Sequence, residues 1–354
     1  MKKNIASKKI KMLAAALALS AGCLTAGGIS SAHAAAITPS EVIASYVPGE
    51  KVWIPKYDVK LAGEVRYPDG FDRSKKYPAI VIVHPGGGVK EQTVALYAEN
   101  LAKQGFITLT YDAEHQGESG GEPRLLEDPA DRVEDVRCAV DFLTTLKNVD
   151  RERIGALGIC AGGGYAIHTA ETEARIKAVA GVSAVDSGRT RREGLSGSVT
   201  DEKRNQMLKD IAAARTAEAN GEAPRYIHYV YDKESDIPAG TEKRSLGYEG
   251  WEYYRTERGQ HPRSGNRYLY RSLDKMFAYT AFDHVDWIAP RAILLIAGED
   301  ADTKYMSEDA YAKAKGNKEL YIVPGATHID FYDRPEYIAP AVNKLVEFYR
   351  KNLK

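Results

Sequence analysis

The sequence predicts an α/β fold, with a mostly parallel central sheet flanked by helices and an inserted cap. Strand-like and helix-like segments alternate along most of the chain, as they do when helices cover both faces of a parallel sheet. Several strands are unbroken apolar runs, as in Tyr77–His84, which is typical of buried parallel strands. The 44% hydrophobic content over 354 residues supplies enough apolar surface for one large core.

The first half of the chain begins with strands that alternate in the manner of an antiparallel pair, within residues 51–68. Buried strands follow at 77–84, 106–111, 153–160 and 176–183. Helices are predicted at 92–104, at about 128–148 and from Gly163 onward. Asp128 can cap the second of these helices, and Pro129 suits its first position.

The second half interrupts this alternation with a long segment, residues 187–288, that is rich in charge and tyrosine. A structureless loop of that length within a compact domain is rare, so the segment is interpreted as a cap over the sheet. The alternative is an excursion that only packs against the core. After it come predicted strands at 292–297 and 319–323 and helices at 307–315 and 335–352.

The N-terminus has the composition of a secretory signal, with five lysines, a short apolar run and the small-residue pattern Ala32-His33-Ala34. We expect cleavage after Ala34 and export of the protein to the periplasm or the medium. The apolar run is too short for a good membrane span. The alternative is a lipoprotein anchored at Cys23, although Ser20 stands where such sites usually carry leucine.

The predicted domain organisation is a signal peptide at 1–34, a core at 35–186, a cap at 187–288 and a second core segment at 289–354. The whole chain has a formal net charge of zero, so no overall field points to nucleic acid or to an anionic membrane. A small-molecule substrate is therefore the expected partner. The sequence leaves the oligomeric state open.

The strongest local signal is the run Gly158-Ile-Cys-Ala-Gly162, which lies between an apolar strand and a helix. A nucleophile at such a turn adopts a strained backbone, and glycines two residues before and after it remove clashes with neighbouring Cβ atoms. The helix start behind it favours a thiolate. Cys160 is therefore the predicted nucleophile, and the alternative is a buried structural cysteine.

The run His84-Pro-Gly-Gly-Gly-Val89 directly follows an earlier strand and predicts part of an oxyanion hole. Backbone N–H groups can face a developing oxyanion when no side chain obstructs them. We assign the donors to Gly87 and Ala161, with Gly86 as the near alternative. A phosphate-binding loop is disfavoured because the Lys-Ser/Thr ending of a P-loop is absent.

His328 follows the last predicted strand in a small-residue turn, where a general base would reach the nucleophile from a loop. The acid that orients it should follow the preceding strand, where Glu299, Asp300 and Asp302 are the candidates. Asp302 is preferred over Asp300, and Glu299 is the least favoured. The cysteine, acid and histidine then follow separate strands in chain order, which also makes a Cys138–Cys160 disulfide implausible.

These motifs resemble the α/β-hydrolase superfamily over nearly all of the chain after residue 34. The Gly-x-Cys-x-Gly-Gly turn is similar to that of the dienelactone hydrolase branch, in which cysteine replaces the usual serine. Other parts of the chain resemble a related bacterial and fungal group of proteins. They are residues 84–92, 127–132 and 328–332, and Asp302-Thr303 with Ser307-Glu308. This resemblance favours Asp302 as the acid. The long aromatic insertion sets the chain apart from compact dienelactone hydrolases.

The function that follows is hydrolysis of a carboxylic ester or related acyl bond through Cys160, His328 and Asp302 and an acyl-enzyme intermediate. No metal or organic cofactor is expected, since these residues lack metal-ligand spacing. Two alternatives stay open. An acyl transferase would use the same triad with an acceptor in place of water, and a binding protein would hold a ligand while the catalytic frame stays idle.

Overall fold

The computed structural model describes residues 36–354. The predicted signal peptide, its cleavage site and the lipid-anchor alternative at Cys23 lie outside these residues and stay predictions. Among residues 36–354, no helix combines the length and the apolar character that crossing a membrane requires.

Eight strands form the central sheet in the order β1-β2-β4-β3-β5-β6-β9-β10. Strands β1 and β2 pair antiparallel, as do β2 and β4, and all the other pairs are parallel. The predicted α/β fold with a mostly parallel sheet is therefore confirmed. The strands span Glu50–Lys56 (β1), Val59–Arg66 (β2), Tyr77–Val83 (β3), Ile107–Tyr111 (β4), Val149–Ile159 (β5), Ile176–Val182 (β6), Ala292–Gly298 (β9) and Lys318–Val323 (β10).

Helices cover both faces of this sheet, and the apolar run of β3 shows why. Val81 and Val83 belong to one core cluster with residues of α2 and α3, whereas Ile80 and Ile82 belong to a second cluster with residues of α1 and α10. Because successive side chains of a strand point to opposite faces, a strand buried on both sides must be apolar throughout. The helices are α1 (Thr93–Lys103), α2 (Pro129–Thr145), α3 (Ala161–Thr172), α8 (Lys304–Lys313), α9 (Asp330–Asp333) and α10 (Pro335–Asn352).

Asp128 caps α2 as predicted, and its carboxylate accepts a hydrogen bond from the backbone N–H of Ala130 at 3.0 Å. Other boundaries differ from the prediction. Helix α3 begins at Ala161, directly after Cys160, instead of near Gly163. Helix α8 begins at Lys304 instead of residue 307, because Met306 and Ala310 both face the core and place the first turn earlier. The short helix α9 was not predicted.

The residues between β6 and β9 form helices and a small sheet. The elements are α4 (Ser187–Glu193), α5 (Asp201–Ala219), β7 (Tyr226–His228), α6 (Leu246–Arg255), β8 (Arg267–Leu269) and α7 (Ser272–Ala278). Strands β7 and β8 pair antiparallel. An apolar cluster of its own holds the segment together, with Ile211, Tyr268, Leu273 and Met276 buried. The division into core and cap at residues 187 and 288 stays a prediction.

Candidate active site

Cys160 lies at the C-terminal end of β5, in a backbone conformation with φ 57° and ψ −124°. A positive φ is strained for a residue with a side chain, and such strain tends to occur at functional sites. The flanking glycines make the turn possible. A Cβ atom at Gly158 would lie 2.0 Å from the carbonyl oxygen of Gly162, and one at Gly162 would lie 2.2 Å from that of Val83.

Cys160 opens onto a cavity of about 350 Å³ between the sheet edge and the inserted segment. Most of the lining is apolar and includes Val185, Leu195, Val230, Leu246, Met276 and Ile329. Glu127 and Arg191 are the charged members of the lining, and Glu127 is paired with Arg132 at 3.3 Å. The cavity can therefore take up an apolar group beside a potential nucleophile.

The backbone N–H groups of Ala161 and Gly86 lie near enough to the Cys160 sulfur to lower the pKa of its thiol. Gly86 and Ala161 line the cavity. The chain turns at Gly87, where φ is +72°, and the carbonyl oxygen of Gly87 accepts a hydrogen bond from the Ser264 hydroxyl at 2.6 Å. The assignment of Gly87 and Ala161 as oxyanion donors stays a prediction, and its near alternative, Gly86, is the one that lies near the sulfur together with Ala161.

A buried polar network holds the loop that carries Gly86. The guanidinium of Arg132 donates to the carbonyl oxygen of His84 at 2.8 Å and forms the salt bridge with Glu127. Glu127 also accepts a hydrogen bond from the Tyr165 hydroxyl at 2.7 Å. Because the buried charges of Arg132 and Glu127 pair with each other, the network can fix the loop without an unpaired charge. His84 thus has a structural position behind the loop.

Burial raises the pKa of the Cys160 thiol, and hydrogen bonds from the Tyr332 hydroxyl and from the N–H groups of Ala161 and Gly86 lower it only in part. Cys160 is therefore a neutral thiol at neutral pH, and the predicted nucleophile starts from this state. It needs a base that removes its proton during the reaction.

His328 is buried in the loop between β10 and α9. Its Nδ1 atom lies 2.6 Å from the hydroxyl oxygen of Thr303, and its Nε2 atom lies 3.4 Å from that of Tyr332. Burial lowers the pKa of His328 to about 3, so the ring is neutral. A neutral imidazole can accept a proton, which is what the predicted base must do.

The predicted acids do not reach His328. The carboxylate of Asp302 accepts a hydrogen bond from the backbone N–H of Leu246 at 2.9 Å, so it faces the start of α6. Asp300 has a half-exposed side chain that pairs with Arg244 at 3.3 Å. Glu299 is exposed and accepts from the N–H of Gly325 at 3.1 Å. Within residues 36–354, the hydrogen-bond partner at Nδ1 is Thr303, and this geometry does not support Asp302 as the orienting acid.

Two residues that contact His328, Thr303 and Tyr332, were not among those predicted from the sequence. Thr303 directly follows the preferred acid in the chain, and its hydroxyl was not considered. Tyr332 lies four residues after His328, and this spacing brings side chains together when one helical turn lies between them. That spacing was the available signal for Tyr332.

Cys138 lies within α2 and is buried, and neither Cys138 nor Cys160 forms a disulfide. The side chains of Glu114, His115 and Asp131 meet in a group that resembles a metal site. The ammonium group of Lys56 lies 2.6 Å from Glu114 and 3.5 Å from Asp131. A lysine therefore already supplies the positive charge that these carboxylates require.

Comparison with known proteins agrees with this architecture. The chain is 41% identical over 296 residues to the uncharacterized protein YcjY of Escherichia coli. This match covers 83% of this chain and 95% of the relative. The crystal structure of hypothetical protein PA2218 from Pseudomonas aeruginosa is similar with a TM-score of 0.80 and 36% identity, over 89% of this chain and 97% of that chain.

A more distant relative is the acyltransferase drtE of Aspergillus calidoustus, 25% identical over 79% of this chain and 89% of the relative. The sequence profile of the family described as "Alpha/beta hydrolase family" matches residues 80–341, which include Gly86, Cys160 and His328. The chain belongs to the alpha/beta hydrolase family.

Proposed function

We propose that the protein hydrolyses a carboxylic ester or a related acyl bond of a small molecule, with Cys160 as the nucleophile. One observation carries the proposal. A cysteine in a strained strand-to-helix turn faces both an apolar cavity and two backbone N–H groups. A buried structural cysteine would need neither the positive φ nor the donors.

In the proposed reaction, the Cys160 thiol gives up its proton to His328 and the sulfur attacks the carbonyl carbon of the substrate. The N–H groups of Gly86 and Ala161 stabilise the oxyanion that forms. When the tetrahedral intermediate collapses, the proton on His328 passes to the leaving group and an acyl-enzyme remains. Water activated by His328 then releases the acid. The apolar side chains of the cavity suit the acyl group.

Acyl transfer is the second candidate, and the named activity of the acyltransferase drtE favours it. The same acyl-enzyme would react with an alcohol or an amine in place of water. Product analysis with added alcohols and amines would separate the two reactions, because only transfer gives a new ester or amide at the expense of the free acid.

The test is turnover of activated esters, thioesters and lactones by the wild type, Cys160→Ala and His328→Ala. Both variants should lose about 10³-fold or more in kcat/KM while the fold persists, since each removes a group that acts in the chemical step. Cys138→Ala is the matched control, because Cys138 is a buried thiol within α2. Near-normal rates in either of the first two variants contradict the mechanism.

Export is a separate proposal. It rests on the composition of residues 1–34 and the Ala-x-Ala pattern that ends there. For protein recovered outside the cytoplasm, mass spectrometry of the N-terminal peptide should show that the chain begins at Ala35. An intact N-terminus on cytoplasmic protein contradicts it.

A further inference from the structure

The Tyr332 hydroxyl lies near both groups that must exchange a proton in the proposed mechanism. Its oxygen lies 3.4 Å from His328 Nε2, and Tyr332 lines the same cavity as Cys160, where its hydroxyl lowers the pKa of the thiol. The wall of the cavity contains Cys160 and Tyr332 but not His328. A polar path from the thiol to the base can therefore run through the phenol.

We propose that Tyr332 is a further catalytic residue, whose hydroxyl passes the proton of the Cys160 thiol to Nε2 of His328. The inference rests on the proposed function, because it specifies how the base of that mechanism reaches its nucleophile. In this proposal the Tyr332 hydroxyl takes part in the chemical step itself, from the cavity wall that it shares with the reacting sulfur.

The surroundings of Tyr332 keep its hydroxyl in this position. The side chain is 1% exposed. The rings of Tyr253 and Tyr254 pack edge-on against it, with centroids at 5.1 Å and 6.2 Å. Its backbone N–H donates to the carbonyl oxygen of Ile329 at 2.9 Å, which fixes the short helix that carries it. A ring packed in this way cannot turn its hydroxyl away without displacing its neighbours.

The transfer balances without any further reactant. The S–H bond of Cys160 breaks as an O–H bond forms on Tyr332, the original phenolic O–H bond breaks, and an N–H bond forms at Nε2. The phenol is regenerated, and the charges produced are a thiolate and an imidazolium. Burial raises the pKa of the Tyr332 phenol well above its usual value, so a free phenolate does not accumulate and the two transfers are coupled.

The hydroxyl of Thr303 completes this path from the far side of the ring. For Nε2 to accept a proton, the neutral ring must carry its hydrogen on Nδ1. The Thr303 oxygen at 2.6 Å can accept that hydrogen. Both nitrogens of His328 then have the partners that a proton acceptor at Nε2 requires.

The experiment compares Tyr332→Phe with the wild type in two assays, kcat/KM for an activated ester and the rate of Cys160 alkylation by iodoacetamide from pH 6 to pH 10. The variant keeps the ring and loses only the hydroxyl. We expect kcat/KM to fall by about 100-fold, within the range of general acid–base effects. Alkylation of the Cys160 peptide should also slow at neutral pH, with its midpoint displaced to higher pH.

Tyr253→Phe is the matched control, since it removes a hydroxyl from the same aromatic group and keeps the ring contact with Tyr332. Its rates should stay within about twofold of the wild type, because its hydroxyl bonds the backbone of Thr93 and not the thiol. If Tyr332→Phe behaves like this control in both assays, the relay is ruled out.

A double-mutant cycle with His328→Gln separates a relay from independent effects. If the proton passes through Tyr332, adding Tyr332→Phe to His328→Gln should reduce the remaining rate by less than about threefold, because the path is already broken. If the double variant instead loses the product of the two single rate losses, His328 acts on Cys160 without the hydroxyl. Alkylation needs no substrate, so it tests the relay even if no ester is cleaved. An inactive wild type that retains the reactive thiol would instead contradict the proposed function.

Discussion

His328 has a hydroxyl, and not a carboxylate, against its Nδ1 atom. A carboxylate at that position both orients the ring and stabilises the imidazolium that forms during acyl transfer, whereas a neutral hydroxyl provides only the orientation. The difference is visible in the ring itself, because burial lowers the pKa of His328 to about 3 with no charge beside it to counter the effect. The base is therefore weak at rest.

Replacement of Thr303 tests this orientation. Thr303→Val keeps the shape and removes the hydroxyl, so His328 loses the partner at 2.6 Å that selects its tautomer. We expect kcat/KM to fall by roughly 10-fold or more with little change in stability. Thr303→Ser keeps the hydroxyl and should restore most of the rate. Equal rates for the Val and Ser variants would show that the hydroxyl has no role in orienting the ring.

Local patterns could predict Cys160 and His328, whereas the residues around them depended on finer geometry. The glycines beside Cys160 are required by backbone clashes that a sequence displays directly. Whether Asp302 or Thr303 faces the imidazole depends on how the chain turns after β9. Adjacent residues in a turn point in different directions, and no periodic pattern encodes which direction is inward. The same reasoning applies to Gly86 and Gly87.

At the scale of elements, the turn from β5 to α3 depends on Gly158. A Cβ atom there would lie 2.0 Å from a backbone oxygen that no rotamer change can move. We expect Gly158→Ala to lower the free energy of unfolding by more than about 3 kcal/mol, or to prevent folding. Gly265→Ala is the control, since its nearest neighbour would be 3.8 Å away. A Gly158→Ala protein as stable as this control would show that the turn has another conformation.

Helix α6 is the element that Asp302 touches, through the N–H of Leu246 at 2.9 Å, and Leu246 lines the cavity. If this contact is the role of Asp302, Asp302→Asn should retain most of the activity, because an amide oxygen can still accept the hydrogen bond. Asp302→Ala should raise KM several-fold, as the helix start loses a partner.

The Asn and Ala variants also decide between this role and the acid of the predicted triad. An acid that stabilises an imidazolium loses its charge in the Asn variant, and kcat then falls by orders of magnitude. Steady-state kinetics of both variants, with Asp300→Asn as the exposed control, make the distinction. Loss of kcat in Asp302→Asn as severe as in Asp302→Ala would return Asp302 to the catalytic role.

The core strands and long helices could be predicted because each buries a continuous or periodic apolar surface, as β3 and α10 do. The short helix α9 has four residues and no period of its own to recognise. Its position after the His328 loop follows from packing of Phe331 and Tyr332 in the core. Tertiary contacts of this kind are invisible in a single sequence.

At the scale of the whole molecule, the sheet order β1-β2-β4-β3-β5-β6-β9-β10 places strands far apart in the chain side by side. Strand β6 pairs with β9 across more than a hundred residues, so the inserted segment emerges at the strand ends near Cys160. The sequence alone indicated a parallel sheet but not this order, because side-chain patterns record burial and not the identity of the neighbouring strand.

The free energy of unfolding of the whole molecule depends on pH, and the buried histidines contribute to this dependence at acid pH. His328 binds a proton near pH 6.5 when unfolded and only near pH 3 when folded. Between these values the unfolded state carries the extra proton, so the free energy of unfolding falls as the pH decreases, by about 1.4 kcal/mol per pH unit from this residue alone. Burial lowers the pKa of His84 as well, so it acts in the same direction.

Comparing wild type with His328→Gln by chemical denaturation at pH 7 and pH 5 isolates the contribution of His328. Glu171, whose pKa burial raises to about 8, destabilises the fold as the pH rises from 4.5 to 8, but it does so equally in both proteins. Wild type should therefore lose about 2 kcal/mol more than the variant between the two pH values, because the variant has no imidazole to protonate on unfolding. Parallel losses in the two proteins would mean that His328 is already protonated, or exposed to solvent, in the folded state.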